Sequence, residues 1–478
     1  NPDHEARAAA IVREVWPAAF VCASSDILRE FREFERFATT TVNASLLPVM
    51  DEYLRRFEAG LAELGVSVPP LVMQSNGGAV SPATVRAAPV NTFFSGPAGG
   101  VIATVALGKS LAMENLVSFD MGGTSTDVCL VKDGAPAKRN VRDMAGFPVR
   151  IPTLDLHTIG AGGGSIAHTD ALGLLKVGPR SAGSEPGPAA YGQGGTAATV
   201  TDADFALGYL NADNFAGGTV TIDLAAGTKA LDSLATETGL SREQIAWGVH
   251  DVVNENMANA VRQISTEQGH DLRDFAFVCG GGCSGAHAAR IAESLGVSRI
   301  IVPRVASLLC SFGAVIADVR HDYSRNHAAR FGQCDGAAIN GHFDEMMAEA
   351  RADLAGEGFA PEQIRLQRTM DVRYLGELGV LTLNLPDEET FADGMAATET
   401  LFDQAHERAF TFADPDCERE LMGLGVISYG KWGQELSRIS MPVVGDLEPA
   451  GAISQTRQAS LAPGQTTSIP VYDGGKIA

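Results

Sequence analysis

"VSFDMGGTSTDVCLV" runs from Val117 to Val131. An apolar strand enters a turn of two glycines and three hydroxyl residues, with an aspartate on each side, and a second apolar strand leaves it. Small residues let backbone N–H groups approach an anion closely, because no Cβ stands in the way. Gly122 and Gly123 supply that room, and Thr124, Ser125 and Thr126 add hydroxyl donors. A carboxylate beside a phosphate is repulsive unless a cation lies between them. Asp120 and Asp127 therefore imply a divalent metal, of the Mg²⁺ kind, bridging carboxylate, water and phosphate. Taken alone, the stretch also fits a plain polar hairpin whose Asp and Thr satisfy turn hydrogen bonds.

A second stretch shifts the balance. "CGGGCSGAHAARIAESLG" places Gly280, Gly281 and Gly282 after the strand-like "FAFV" and before a helix. A nucleotide's phosphate or adenosine lies against backbone at such a turn. Between the two turns, "REQIAWGVHDVVNENMANAVRQISTEQG" reads as one long amphipathic helix with Ile245, Val249, Val252, Val253, Met257, Val261 and Ile264 on a single face. Two glycine turns, each tied to a strand and separated by such a helix, are the layout of a two-lobed nucleotide-binding fold.

Length and composition bound the rest. A chain of 478 residues suggests two or three domains. The net charge of −22 argues against nucleic acid or an anionic membrane as partner. The apolar stretch Val305 to Ala317 is too short to cross a bilayer, and no signal peptide is visible. Seven scattered cysteines in mostly apolar settings read as reduced thiols, which points to the cytoplasm.

Residues 1–90 read as a helical segment and the start of a core, 91–325 as a nucleotide-binding core, and 326–478 as a C-terminal α+β domain. Within the first, Ser24-Ser25-Asp26 resembles an N-cap before apolar residues at helical spacing (Ile27, Phe31, Phe34, Phe37), and Pro48 marks a break or a new first turn. Then "VPPLVMQSNGGAV" reads as a strand entering a glycine turn. "FSGPAGG", "IGAGGGSIA" and "GPRSAGSEPGPAAYGQGG" read as glycine loops framed by apolar runs. Asn1 is no natural start, so a longer N-terminal region is expected upstream.

The order of these motifs resembles the hydantoinase A/5-oxoprolinase family of the actin, sugar-kinase and Hsp70 ATPase superfamily. The resemblance covers most of residues 30 to 390, through "ERFATTTVNASLLPVMDEYL", "MQSNGGAVS", "SFDMGGTSTDV", "HTIGAGGGSIAHTD", "TVTDADFALGYLNADNFAGG", "GGGCSGAHAARIAESLGV" and "DVRYLGELGVLTLNLP". It implies an α/β fold with an actin/Hsp70-like (ribonuclease H-like) two-lobed ATPase core, a helical N-terminal segment and a β-rich C-terminal domain. It implies ATP and Mg²⁺, with phosphorylation of an amide or ketone carbonyl followed by hydrolysis or carboxylation. A hydantoinase B-like second subunit in a hetero-oligomer is implied as well.

Carried onto this chain, Asp120 is nearest the metal. Gly162, Gly163 and Gly164 line the site with the other glycine turns, and Asp127 or Asp155 is the activating or metal-linked carboxylate. His157 is a general acid/base or a histidine that orients the glycine loop. Relatives usually open with a further "DxGGTxTD" hairpin about a domain upstream, and none precedes "DMGGTSTD" in this sequence, so a non-catalytic scaffold is the rival of a different class. This chain also departs from its relatives at "GGGCSGAHA", "RVASLLCSFG" and Ala190.

Three smaller patterns read more plainly. Cys279, Cys283 and His287 have zinc-like spacing, but the glycines between the cysteines break any shared helical face. Asp202 and Asp204 read as helix caps. Arg373 reads as a strand arginine paired to a carboxylate within the fold.

Overall fold

The computed structural model describes residues 2–29, 32–387, 391, 394–432 and 449–473. The architecture is mixed α/β. Contacts group the chain into two units, residues 1–95, 138–153 and 317–438 in one and 96–137, 154–316 and 439–478 in the other. Among the described residues no helix is long and apolar enough to cross a membrane.

The first unit holds a six-stranded sheet in the order Val72–Met73, Ala79–Val80, Val319–Arg330, Arg419–Gly430, Ile364–Tyr374, Leu381–Asn384. Helices Gly336–Gly356 and Ala396–Phe410 supply Phe343, Met346 and Phe402 to its core, against Met370, Val372 and Leu424 of the strands. Arg373 pairs with Glu420 at 2.8 Å on the neighbouring strand, the internal pairing its strand position suggests.

The N-terminal segment is helical but divided otherwise than its pattern suggests. The helices are Pro2–Val15, Ser24–Ile27 and Glu33–Glu63. Ser24 does not cap; its hydroxyl donates to Glu5 at 2.6 Å. Pro48 neither breaks nor starts a helix but lies inside Glu33–Glu63. It stands on the exposed side of that helix. Phe34 and Phe37 are exposed.

The second unit carries the glycine motifs. Its strands are β1 (Leu116–Met121), β2 (Thr126–Lys132), β3 (Ala135–Pro136), β4 (His157–Ile159), β5 (Ser165–Thr169), β6 (Leu175–Ser181), β7 (Ala276–Gly280), β8 (Ile300–Ile301), β9 (Ile453–Ala462) and β10 (Gln465–Tyr472). The main sheet runs β8-β7-β1-β2-β3, with β4 added on β2. β1 and β7 are parallel and β1 and β2 antiparallel, so both glycine turns leave adjacent strands at one end of the sheet.

Its helices are α1 (Ser95–Ser110), α2 (Val200–Ala206), α3 (Leu224–Thr238), α4 (Arg242–Glu267), α5 (Ser284–Leu295) and α6 (Leu309–Ile316). In α4, Ile245, Val249, Val253, Met257, Val261 and Ile264 are all buried, as the 3.6-residue period requires. Phe119 of β1 and Phe277 of β7 stack at a tilt, ring centroids 4.7 Å apart. The β9–β10 hairpin is tied on by Trp247, whose indole N–H donates to the Ser460 hydroxyl, and by Tyr209, whose hydroxyl donates to the Ser460 carbonyl, both at 2.8 Å.

"FSGPAGG" is not a loop: its residues from Ser95 onward open α1. The glycines there serve close packing. A Cβ at Gly99 would lie 2.4 Å from the Cys310 carbonyl oxygen, and one at Gly313 would lie 1.7 Å from that of Gly99. α1 and α6 thus meet backbone to backbone. Gly99→Ala and Gly313→Ala should each lower the unfolding free energy by about 1–3 kcal/mol through overpacking. Gly60→Ala, whose added methyl meets nothing within 4 Å, should be neutral or slightly stabilising. Denaturant unfolding of the three variants side by side checks the contrast.

Candidate functional site

Asp120 is the last-but-one residue of β1 and lies directly opposite Asp127 of β2. Like charges facing across an antiparallel pair destabilise it, so the arrangement needs a compensating group. The donors on the two carboxylates are neutral: the Cys310 thiol donates to Asp120 at 2.9 Å, and the Thr158 hydroxyl donates to Asp127. Among the described residues no lysine or arginine forms an ion pair with either carboxylate. Burial raises the carboxyl pKa of Asp127, and the Asp120 charge adds to the rise against the Thr158 bond. Burial and the neighbouring Asp120 push the Cys310 thiol up to about 12, so it stays protonated and donating.

Glycines crowd Asp120 on the other side. On β7, Gly280 pairs with it in register. Gly281 has φ +80°, and a Cβ there would fall 2.3 Å from the Met121 carbonyl and 2.5 Å from the Asp120 carboxylate. Only glycine fits. Gly282 is exposed beyond it.

The turn tip Gly123–Thr124 is exposed, with Gly122 and Ser125 half-buried. Thr126 differs, because its hydroxyl is buried and donates to the Ala161 carbonyl at 2.6 Å. Of the three hydroxyls expected to face a ligand, Thr124 and Ser125 therefore remain.

Gly162, Gly163 and Gly164 are buried rather than lining an open cleft. The Gly162 N–H donates to the Ser165 hydroxyl, Gly163 to the Gly122 carbonyl and Gly164 to the Gly123 carbonyl, at 2.9, 3.0 and 2.6 Å. A Cβ at Gly162 would lie 2.8 Å from the Gly122 carbonyl oxygen. These glycines brace the first turn from behind, and their N–H groups are already occupied.

Asp155 and His157 also stand back. Asp155 is buried and accepts from Gln268, and the His157 Nε2 lies 3.3 Å from its Oδ1, at ion-pair distance but outside hydrogen-bond geometry. In β4, Thr158 meets Asp127, so the neighbouring His157 points to the opposite face. The structure brings Asp120, Asp127, Gly122–Ser125 and Gly280–Gly282 together, and leaves Asp155 with His157 behind β4.

Neither Asp202 nor Asp204 is the cap their position suggests: Thr199 caps α2, Asp202 completes the capping box by accepting from the Thr199 N–H at 2.9 Å, and Asp204 lies inside the helix. Sequence reasoning missed Cys310. Its signal was the departure at "RVASLLCSFG", which turns out to carry the thiol that touches Asp120.

The Hydantoinase/oxoprolinase family model matches residues 36–323. The chain belongs to the hydantoinase/oxoprolinase family. It is 36% identical to caprolactamase subunit alpha of Pseudomonas jessenii, over 100% of this chain and 69% of that protein. The crystal structure of the ATP-dependent caprolactamase of that organism superposes with a TM-score of 0.85, at 34% identity over 100% of this chain and 70% of that one. The 5-oxoprolinase of Saccharomyces cerevisiae is 32% identical over 90% of this chain and 34% of its own length. The nucleotide-free acetone carboxylase structure gives a TM-score of 0.77 at 26% identity, covering 99% of this chain and 68% of that one. Within this family setting the chain spans about a third to two thirds of its relatives.

Asp127 carries a pH signature. Its folded-state pKa lies above the unfolded value, so between the two the folded protein binds more protons and stability falls as pH rises. Asp127→Asn removes that penalty. The variant should be more stable than the parent near pH 7, with the gain vanishing once pH falls below the ordinary carboxylate range. Thermal melts of both proteins across pH 3–8 read the difference.

Proposed function

We propose that this chain is the nucleotide-binding part of an ATP-dependent enzyme that phosphorylates a cyclic amide carbonyl before hydrolytic ring opening. The observation that carries the reading is the opposed Asp120–Asp127 pair at the root of a glycine-hydroxyl turn, with a second glycine turn on the adjacent strand. Similarity to caprolactamase across the whole chain supports the amide over the ketone substrate. We infer an actin/Hsp70-like two-lobed layout for the complete ATPase.

The residues fit a divalent cation: two facing carboxylates whose protein donors are a thiol and a hydroxyl. Asp120 and Asp127 would hold it, and Mg²⁺ would supply the positive charge that offsets theirs and a phosphate's. The Gly122–Gly123 turn gives a phosphate close approach to backbone, and the Thr124 and Ser125 hydroxyls donate to it. Asp127, in register with Asp120, is the activating or metal-linked carboxylate of this reading. Asp155 and His157 act as an orienting pair behind β4. O-phosphorylation makes the carbonyl carbon more electrophilic: water adds to it, the ring C–N bond breaks with the protonated nitrogen leaving, and hydrolysis of the resulting acyl phosphate releases carboxylate and phosphate.

A second subunit is part of the proposal, of the hydantoinase B-like kind, since the caprolactamase relative is itself named a subunit. The test is phosphate release from ATP by the protein with its neighbouring subunit, offered lactams, hydantoins, 5-oxoproline or simple ketones, with and without bicarbonate. Stimulation by a cyclic amide without bicarbonate is expected. Dependence on a ketone and bicarbonate together would make it a carboxylase, and no release with any substrate would leave a scaffold. Asp120→Ala should reduce the stimulated rate by at least about a hundredfold, and a retained rate would remove Asp120 from the mechanism.

A further inference from the structure

Behind the glycine loop lies a buried cluster that the proposed chemistry does not use. Asp204 of α2, His250 of α4 and His287 of α5 come together with their ligand-type atoms within 4.8 Å of one another. All three side chains are buried. The His250 Nδ1–H donates to Asp204 Oδ1 at 2.8 Å, and the His287 Nε2 lies 3.2 Å from Asp204 Oδ2, at ion-pair distance but outside hydrogen-bond geometry. On its other nitrogen, His287 meets the Asn254 side-chain oxygen at 2.8 Å. Burial opposes the Asp204 charge, but the two imidazoles outweigh it and hold the carboxyl below its ordinary range.

An aspartate with two histidines suggests a transition metal, and ring geometry argues against one. The His250 and His287 rings are nearly parallel, 19° apart, with centroids 4.7 Å apart. A ligating imidazole keeps the metal close to its own plane, about 2.1 Å from the nitrogen. Parallel rings in van der Waals contact, about 3.5 Å apart, would leave a shared ion roughly 60° out of both planes. Coplanar rings at this centroid distance would collide. The carboxylate instead serves as the common partner of two stacked imidazoles.

What the cluster holds can be traced outward along two helices. On α2, Thr201 lies one turn before Asp204, and both its N–H and its hydroxyl donate to the Gly163 carbonyl, at 2.7 and 2.8 Å. On α5, Cys283 lies one turn before His287; its N–H donates to the Met121 carbonyl at 3.1 Å, and its sulfur packs against Gly163. Gly163 and Gly164 in turn donate to Gly122 and Gly123 of the phosphate-type turn. Two helix starts thus converge on the braced turn, and one turn deeper the same helices are fastened to each other and to α4.

We propose that Asp204, His250 and His287 form a metal-free positioning cluster that aligns the starts of α2 and α5 against the 162–164 loop, and through it the Gly122–Ser125 turn for nucleotide. The proposal rests on the nucleotide reading of that turn for its final link alone. Asp204, His250 and His287 are positioning residues, since none touches the turn itself.

The test compares wild type, Asp204→Ala, Asp204→Asn and Thr201→Val by amide hydrogen exchange, ADP affinity and metal analysis of the purified protein. Asp204→Ala should speed exchange across 160–165 and 281–284, leave the distant strand Arg419–Gly430 unchanged, and weaken ADP about tenfold. Asp204→Asn keeps an acceptor for His250 and should restore most of both. Thr201→Val leaves the cluster whole and cuts one arm, so it should loosen 160–165 even where Asp204→Ala fails to fold.

Three results overturn the proposal. One is exchange that rises only around the cluster, with the loop and ADP affinity unchanged. The second is an Asp204→Asn variant no better than Asp204→Ala. The third is a stoichiometric transition metal in the wild type that Asp204→Ala loses. A wild type that binds no nucleotide would sink the nucleotide reading instead, while loop exchange still decides the coupling.

Discussion

Two carboxylates face each other across β1 and β2, and much of the second unit follows from keeping them there. Antiparallel register fixes the pair: Asp120 meets Asp127 because Leu116 meets Val131 at the other end of the strands. Sliding one strand by one residue would turn it over and carry its acid into the apolar interior now filled by Phe119 and Val128. The protein meets the pair with neutral donors only, a thiol on one side and a hydroxyl on the other. That leaves local negative charge uncompensated by the protein, which is the electrostatic condition for recruiting a cation with its anionic ligand.

The glycines divide into two kinds of work. Those at 122–123 and 282 stand at half-buried or exposed positions where no Cβ blocks approach, the Gly122 N–H itself closing the turn onto the Ser125 carbonyl. Those at 99, 162, 163, 281 and 313 are places where two pieces of backbone touch, and a single methyl would intrude on a carbonyl or a neighbouring side chain. The second kind makes the first rigid. A turn of small residues is conformationally loose by itself. Here its carbonyls are held by the loop behind it, and that loop is held by Thr201 and Cys283.

Elements whose pattern is local were legible in the sequence. The strand–turn–strand at 116–132, the apolar face of α4 and the β7–α5–β8 unit all follow from continuous apolar runs in the doubly buried strands, the helical period and glycine placement. Pro48 and "FSGPAGG" misled for the same reason: local breakers are overridden where an exposed helix position or a backbone-to-backbone contact makes proline or glycine acceptable. The first turn's composition pointed to the carboxylates and small residues of the candidate site. It did not reveal that Gly162–Gly164 face inward, since composition says nothing about which N–H groups find partners. The Asp204 cluster draws its members from three helices far apart in sequence. A local cue did exist, since His250 and Asn254 are four residues apart on an otherwise apolar face.

The interleaving of the two units bears on how the protein is made. The second unit takes up 96–137, gives the chain away to the first for 138–153, takes it back until 316, and receives 439–478 last. The Ser460 contacts with Trp247 and Tyr209 join residues separated by more than two hundred positions. On a ribosome those partners wait, with the α4 indole uncovered, until the 213 residues that separate Trp247 from Ser460 have been made. Such non-local closure is slow, and a nascent unit kept open that long presents apolar surface to chaperones and to other chains.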